Sequence, residues 1–234
     1  MTLLLFDIDG TLVQRASGEH AAALIAAIEE VHGIDLAGAR LRGSAAGRTD
    51  GEIARMHLLA AGVSAARIDA RAEAVRDACW RLYAELCPDD LAAKVVAGMP
   101  ELLASLAASG AWRLSLVTGN FEPVARLKLR AAGLGRWFPA GQGGFGSDAE
   151  DRAALPGIAR RRAGEAAGLE HSWPRERTLV IGDTPRDIAC ARADGLRCVA
   201  VTTGPYDRTE LLGADAVADT PAELAAAIEA LAAS

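Results

Sequence analysis

Short apolar segments alternate along most of this 234-residue chain with longer segments of helical periodicity. A continuous apolar run bounded by polar residues is typical of a strand buried on both faces of a sheet. Strands that alternate with helices form parallel sheets with right-handed crossovers. The strand candidates are residues 3–6, 113–118, 178–182, 197–202 and 214–218. The sequence therefore predicts an α/β fold with a Rossmann-like parallel sheet flanked by helices.

One long segment, residues 17–93, breaks this alternation because it contains no convincing strand pattern. Its predicted helices are 19–32, 50–60 and 65–87. Helix-only sequence inserted after the first strand of a parallel sheet indicates a second, smaller domain. We therefore expect a core domain of residues 1–16 and 95–234, and an inserted all-helical cap domain of residues 17–94.

Composition and charge exclude several classes of function. The chain has 31 acidic and 25 basic residues, and this net charge of -6 argues against a nucleic-acid-binding protein. No apolar stretch has the length of a membrane span, and the apolar N-terminal run is too short for a signal peptide. The four cysteines have no CxxC spacing, which favours free thiols over disulfides or a zinc site. We expect a cytoplasmic protein without nucleic-acid or membrane partners; its oligomeric state is not predicted.

Polar side chains cluster where three predicted strands end. The first strand runs into Asp-Ile-Asp-Gly-Thr at residues 7–11, the second into Thr-Gly-Asn at 118–120, and the third into Gly-Asp-Thr-Pro-Arg-Asp at 182–187. Ligands of parallel sheets bind outside the carboxyl ends of the strands, so these segments should share one crevice. Several carboxylates there would repel one another unless a cation lay among them, and hard oxygen ligands suit Mg²⁺. Gly10 would let backbone N–H groups approach a phosphate closely.

Each motif also has an ordinary interpretation when it is taken alone. An Asp-x-Asp pair occurs in turns, at helix caps and in the metal sites of nucleotide-sugar transferases. The Thr-Gly-Asn segment could be a plain turn, and residues 182–187 could be a loop that caps a helix. Their joint occurrence after three strands of one predicted sheet is what favours a common site.

Together, residues 7–11, Thr118 and residues 182–187 resemble three of the four motifs of the haloacid dehalogenase-like (HAD) hydrolase superfamily. The helical insertion resembles the cap of phosphoglycolate phosphatases and β-phosphoglucomutases, and the resemblance extends over essentially the whole chain. It implies a Mg²⁺-dependent phosphatase that hydrolyses small phosphorylated metabolites through an aspartyl-phosphate intermediate.

The resemblance also implies a role for each motif residue. Asp7 would be the nucleophile, and Asp9 would protonate the leaving oxygen and then deprotonate the hydrolytic water. Asp7, Asp183 and the backbone carbonyl of Asp9 would hold Mg²⁺, with Asp187 joining directly or through water. The predicted phosphate-binding or substrate-binding residues are Gly10, Thr118, Gly119, Asn120, Arg152 and Arg48.

The chain departs from the family pattern in one respect. The family usually places a lysine before its last motif, but this sequence has no lysine after Lys128. We expect Arg152 to replace it, because a guanidinium can pair with both a phosphate and Asp7. The alternative for Arg152 is a solvated arginine in a charged helical turn. Arginines 160–162 are expected to form an exposed helix face.

The predicted cap would select the substrate. In residues 42–50, glycines surround Arg48 just before a helix, so this segment could face an anion. It could equally be a flexible loop whose Thr49 or Asp50 caps the helix. His20 lies near the predicted cap hinge and could reach the site, but it is expected at the surface or in the cap core. Trp80 and Tyr83 are expected in the cap core.

Two further functions stay open at this point. The presence of Asp9 favours phosphoryl transfer over dehalogenation, but the motifs do not separate a phosphatase from a phosphomutase of the β-phosphoglucomutase type. The missing lysine also leaves room for a catalytically idle HAD-like binding or regulatory protein.

Overall fold

Six parallel strands form a single sheet in this computed structural model, which describes residues 1–14, 16, 18–36 and 44–233. The strand order is β3-β2-β1-β4-β5-β6. The strands are β1 (Thr2–Phe6), β2 (Trp112–Thr118), β3 (Gly144–Phe145), β4 (Thr178–Gly182), β5 (Arg197–Val201) and β6 (Ala216–Ala218). The α/β fold with a parallel sheet flanked by helices is confirmed.

Strand β1 lies at the centre of the sheet because it pairs with β2 on one edge and with β4 on the other. Its residues 3–6 have no solvent-exposed surface. Leu4 and Phe6 belong to one hydrophobic cluster, whereas Leu3 and Leu5 belong to another, so both faces of the strand are covered. The chain turns to opposite sides of β1, which leaves a crevice at the carboxyl ends of β1, β2 and β4.

The helices cover both faces of the sheet and also build the insertion. They are α1 (Gly18–His32), α2 (Asp50–Ala60), α3 (Ala65–Leu86), α4 (Met99–Ala108), α5 (Glu122–Ala131), α6 (Leu155–Ala166), α7 (Pro185–Ala193) and α8 (Pro221–Ala233). Helices α1–α3 form the insertion, and its described residues contain no strand of the sheet.

The insertion has its own hydrophobic core, to which Val124 of α5 and Phe121, the residue before that helix, also belong. Tyr83 lies in this core with 1% of its surface exposed, as expected, but Trp80 is 49% exposed and its predicted core position is wrong. The two residues are three positions apart on α3, and the helix turns Trp80 away from α1 toward solvent.

Two chain passages that connect the insertion to the sheet are paired with each other. Val13 and Val95 form an antiparallel bridge. The Gln14 N–H donates to the Lys94 carbonyl over 2.7 Å, and the Val96 N–H donates to the Leu12 carbonyl over 3.0 Å. The segment that leaves the sheet for the insertion and the segment that returns from it therefore lie side by side.

Several local expectations are wrong. Strand β3 was not predicted, because two residues carry no periodicity. The helical periodicity of residues 151–167 predicts one helix, but a short 3₁₀ turn at Arg152–Ala154 comes first and helix α6 begins at Leu155. Arg160 is buried and its Nε donates to Asp194 over 2.7 Å, whereas Arg161 is exposed. Consecutive helical residues point in different directions, so residues 160–162 cannot share one face.

No helix in the described part of the chain is both long enough and apolar enough to span a lipid bilayer. The four cysteines are all free thiols.

Candidate active site

Three buried carboxylates meet at the carboxyl ends of β1 and β4. Asp7 follows β1, Asp183 follows β4, and Asp187 lies in the first turn of α7. One carboxylate oxygen from each lies within 4.8 Å of the others. The Thr11 hydroxyl donates to Asp183 over 3.0 Å, and the Thr184 hydroxyl donates to Asp187 over 2.7 Å. Local turns and a helix cap thus fix the three groups in one place.

The three buried carboxylates carry more negative charge than the nearby cation can balance. Burial raises the pKa of Asp7 to about 7; Arg152 opposes the rise, and Asp187 adds to it. Burial also raises the pKa of Asp183 to about 9, with further increases from Asp187 and Asp7. Oxygen donors that repel one another in this way fit a hard divalent cation such as Mg²⁺, whose charge would offset the repulsion.

Arg152 is the cation of this group. It lies in the 3₁₀ turn before α6, and its Nη2 is 3.3 Å from Asp7 Oδ1 and also contacts Asp187. Burial would lower the pKa of the guanidinium, but the carboxylates of Asp187 and Asp7 raise it further above its ordinary value. Its Nε is buried without a hydrogen-bond partner. The structure therefore places Arg152 beside Asp7 rather than in solvent, and an unused donor is left at the site.

The Asp9 carboxylate contacts a different set of residues. Lys128 Nζ lies 2.8 Å and 2.7 Å from its two oxygens, and Asn120 Nδ2 donates to it over 2.8 Å. Burial would raise the pKa of Asp9, but Lys128, His20 and Asn120 together bring it below its ordinary value. The pKa values of Asp7 and Asp9, which are separated by one residue, are thus shifted in opposite directions.

Lys128 was missed as a site residue, although the sequence holds a signal for it. Residues Val124, Ala125, Lys128 and Leu129 are the buried ones on α5, so the lysine falls on the apolar stripe at helical spacing. A lysine at such a position needs a buried partner. His20 is also buried in α1, where its Nε2 lies 3.1 Å from Asp50 Oδ2. It lines the cavity beside the site and does not lie at the protein surface.

The end of β2 forms one wall of the site and contacts the insertion. Thr118 is fully buried, and its hydroxyl accepts hydrogen bonds from the backbone and side chain of Asn120. The Asp50 N–H donates to the Gly119 carbonyl over 2.8 Å. Any Cβ at Gly119 would collide with the Arg48 carbonyl, so this close approach requires glycine. The phosphate-binding roles of these residues stay predictions.

Gly10 lies in the wall of the crevice but does not offer the exposed N–H that was expected. Its N–H donates to the Val13 carbonyl over 2.9 Å, because the chain turns back on itself after β1. Its φ of 86° is in the left-handed region, and a Cβ would collide with the Asp183 carboxylate. Glycine is needed here for the turn and for close packing against Asp183.

The loop before α2 combines both interpretations of residues 42–50, although residues 42 and 43 lie outside the described part. Thr49 caps α2, since its hydroxyl accepts the Glu52 N–H over 3.1 Å. Arg48 faces the cavity, but its guanidinium is paired with Glu52 and donates to the Ser44 carbonyl over 3.0 Å. Arg48 therefore reaches the site with its charge already partnered.

A cavity of about 650 Å³ lies between the sheet and the insertion. Its floor carries Asp7, Asp9, Asp183, Arg152 and Asn120. Helices α1 and α2 supply mainly apolar wall residues: Ala21, Leu24, Ile25 and Ile53, together with His20 and His57. Most of the predicted site residues thus line one space large enough for a small metabolite, whereas Thr118 and Asp187 do not line it.

A family model for haloacid dehalogenase-like hydrolases matches residues 4–192. A phosphoglycolate phosphatase from Rhodospirillum rubrum is 34% identical over 226 residues, which cover 94% of this chain and 88% of the relative. A phosphoglycolate phosphatase from Mesorhizobium japonicum is 29% identical over 215 residues, covering 88% of this chain and 85% of the relative.

Solved structures with the same fold include a hydrolase from Pseudomonas syringae, with a TM-score of 0.66 and 23% identity over 99% of this chain and 100% of that one. CbbY from Rhodobacter sphaeroides, solved in complex with phosphate, gives a TM-score of 0.64 and 20% identity over 98% of this chain and 100% of that one. At these identities the likeness is one of fold.

Proposed function

Because the chain belongs to the haloacid dehalogenase-like hydrolases, as a phosphatase of that family, we propose that it is Mg²⁺-dependent and hydrolyses small organic phosphate monoesters through an aspartyl-phosphate intermediate. The observation that carries this proposal is the group formed by Asp7, Asp183, Asp187 and Arg152. It combines a nucleophile, further oxygen ligands for a cation, and a cation for the phosphoryl oxygens in one buried place.

In the proposed first step, an Asp7 oxygen forms a bond to phosphorus and the bond from phosphorus to the leaving oxygen breaks. Asp9 gives its proton to that oxygen, so that a neutral alcohol departs. Arg152, whose Nη2 lies 3.3 Å from Asp7 Oδ1, would stabilise the phosphoryl oxygens. In the second step, water attacks phosphorus, Asp9 takes the water proton, and the bond from phosphorus to Asp7 breaks to release inorganic phosphate.

Asp7, Asp183 and the Asp9 carbonyl would hold Mg²⁺, with Asp187 directly or through water. When bound, the ion would offset the repulsion between the anionic nucleophile and the phosphate dianion. Both oxygens of Asp187 already accept hydrogen bonds, from Thr184 and from Arg152. This pairing supports a role for Asp187 in orienting its neighbours or holding water.

We extend the proposal to the organisation of the chain, with a core of residues 1–16 and 95–234 and a cap of residues 17–94. The separate hydrophobic cluster of α1–α3 and the paired connecting passages support this division. The insertion covers the cavity floor, which would exclude water and keep large phosphoproteins out. Phosphorylated metabolites and four free thiols are consistent with a cytoplasmic setting.

A screen of phosphorylated metabolites, with and without Mg²⁺, tests the proposed activity. The panel should include 2-phosphoglycolate, because the curated relatives carry that name. We expect release of inorganic phosphate only with the metal present. An isomerised sugar phosphate without released phosphate would instead indicate a phosphomutase, and no reaction with any compound would favour a binding protein.

Asp7→Asn tests the proposed nucleophile. An amide cannot form the phosphoester, so we expect turnover of p-nitrophenyl phosphate to be lost while the fold, measured by circular dichroism, is kept. Near-normal Mg²⁺-dependent activity in this variant would show that the nucleophile has been misassigned.

A further inference from the structure

Lys128 is a fully buried cation at the centre of a hydrogen-bond network that does not include the Asp7 group. Its Nζ lies 2.8 Å and 2.7 Å from the two Asp9 oxygens, 2.9 Å from Asn120 Oδ1 and 3.5 Å from His20 Nδ1. An ammonium has three N–H donors, and these three residues match that number. The lysine is therefore held in place from three sides.

His20 and Asp50 extend this network into the insertion. The Asp50 carboxylate accepts the Phe121 N–H over 2.7 Å and lies 3.1 Å from His20 Nε2. The Asp50 carboxylate can only accept, so His20 donates from Nε2; in the neutral ring Nδ1 is then an acceptor, and it lies toward the Lys128 ammonium. The contacts thus run from α2 through α1 to α5 and end on Asp9.

The two ends of this network belong to different parts of the fold. Asp9, Asn120 and Lys128 come from the sheet and α5, whereas His20 and Asp50 come from α1 and α2. Asp50 also holds the end of β2 through its own N–H and side chain. The Asp9 carboxylate contacts Lys128 and Asn120 on the sheet side, and the insertion reaches it through the contact of His20 with Lys128.

We propose that Lys128 is a positioning residue for Asp9, and that His20 and Asp50 make this positioning depend on the docked insertion. The inference rests on the proposed function, in which Asp9 transfers the proton to the leaving oxygen. Lysine suits this position because its compact ammonium can contact both oxygens of one carboxylate and two other acceptors at once. A cation that merely joined α5 to the sheet would not need the contacts to Asn120 and His20.

Leaving-group dependence separates positioning from a structural role. Phenyl phosphate needs a proton on its departing oxygen, whereas 2,4-dinitrophenyl phosphate releases a stable anion. We expect Lys128→Met to lower kcat/KM for phenyl phosphate by about 10- to 100-fold, a part of the usual contribution of general acid catalysis, and to change that for the dinitrophenyl ester by less than about twofold. His20→Ala should act in the same direction with a smaller effect.

The matched control is Lys94→Met, because Lys94 is the other lysine of the chain and is exposed. This variant should leave kcat/KM unchanged for both esters. An equal loss with both esters for Lys128→Met, or no loss with either, would overturn the proposal. If Lys128→Met does not fold, Lys128→Gln and His20→Ala decide by the same ratio. Asp7→Asn, assayed alongside, separates the two proposals: its activity must be lost with both esters if the nucleophile is correctly assigned.

Discussion

Asp7 and Asp9 are separated by a single residue, yet they occupy opposite electrostatic surroundings. Asp7 shares a buried space with two other carboxylates and one guanidinium, and its pKa is raised to about 7. Asp9 is enclosed by Lys128 and Asn120, and its pKa is lowered. The strand end therefore divides the site into an acidic half, which suits a cation and a phosphoryl group, and a half that holds one carboxylate firmly.

The comparison also separates the origins of the two halves. The acidic half is built from β1, β4, α7 and the turn before α6, all within the sheet and its flanking helices. The Asp9 half is built by α5 and the end of β2, and two helices of the insertion reach it through His20 and Asp50. Similar carboxylates can thus serve different chemical steps because different elements surround them.

The largest effect is expected from breaking the acidic half with Asp183→Asn. The amide keeps the shape but removes a charged oxygen ligand, so the phosphatase rate should fall by about 10³-fold, or about 4 kcal/mol of transition-state stabilisation. The Mg²⁺ concentration needed for half-maximal activity should rise. Steady-state assays over a Mg²⁺ titration measure both, with the exposed Asp89→Asn as control. Wild-type metal dependence in Asp183→Asn would contradict the assignment.

A smaller loss is expected when the cation of the acidic half is removed. Arg152→Ala should lower kcat/KM by about 10²-fold, because one preorganised donor to the phosphoryl group is lost. The matched control is Arg161→Ala, which removes an exposed arginine of α6 that pairs with Glu165. An unchanged rate in Arg152→Ala would assign phosphate binding to another cation.

The smallest expected effect is on the stability of the fold. Its dependence on pH tests the raised pKa values of the acidic half. Asp7 and Asp183 have folded-state pKa values raised to about 7 and about 9, above their ordinary value of 3.8. The folded state therefore holds their protons more tightly, and this stabilisation is present below pH 3.8 and is lost as the pH rises through about 7 and about 9.

Thermal unfolding in a chelator should then show a falling Tm between neutral and alkaline pH, and added Mg²⁺ should raise Tm more at alkaline than at acidic pH. Asp183→Asn should flatten the metal-free profile. A metal-free Tm that climbs steadily over the same range would contradict the raised pKa values.

The sequence alone determined the features that depend on neighbouring residues. Apolar runs identified β1, β2, β4 and β5, since a strand buried on both faces needs apolar side chains in succession. Asp7 and Asp183 directly follow two of these strands. Because parallel strands have their carboxyl ends at the same edge of the sheet, the sequence also predicted that the two aspartates lie close together. Arg152 came from the resemblance, as the cation that could replace the lysine that the family usually has before its last motif.

Only the tertiary structure decided which partners these residues have. Lys128 is 119 positions from Asp9, and their contact depends on how α5 packs against the sheet and the insertion. The Gly10 N–H donates to the Val13 carbonyl because the chain turns after β1. The residue types in this segment do not predict that hydrogen bond. Local patterns record what a segment buries, whereas the register and rotation of packed elements, set by the whole core, decide which side chains meet.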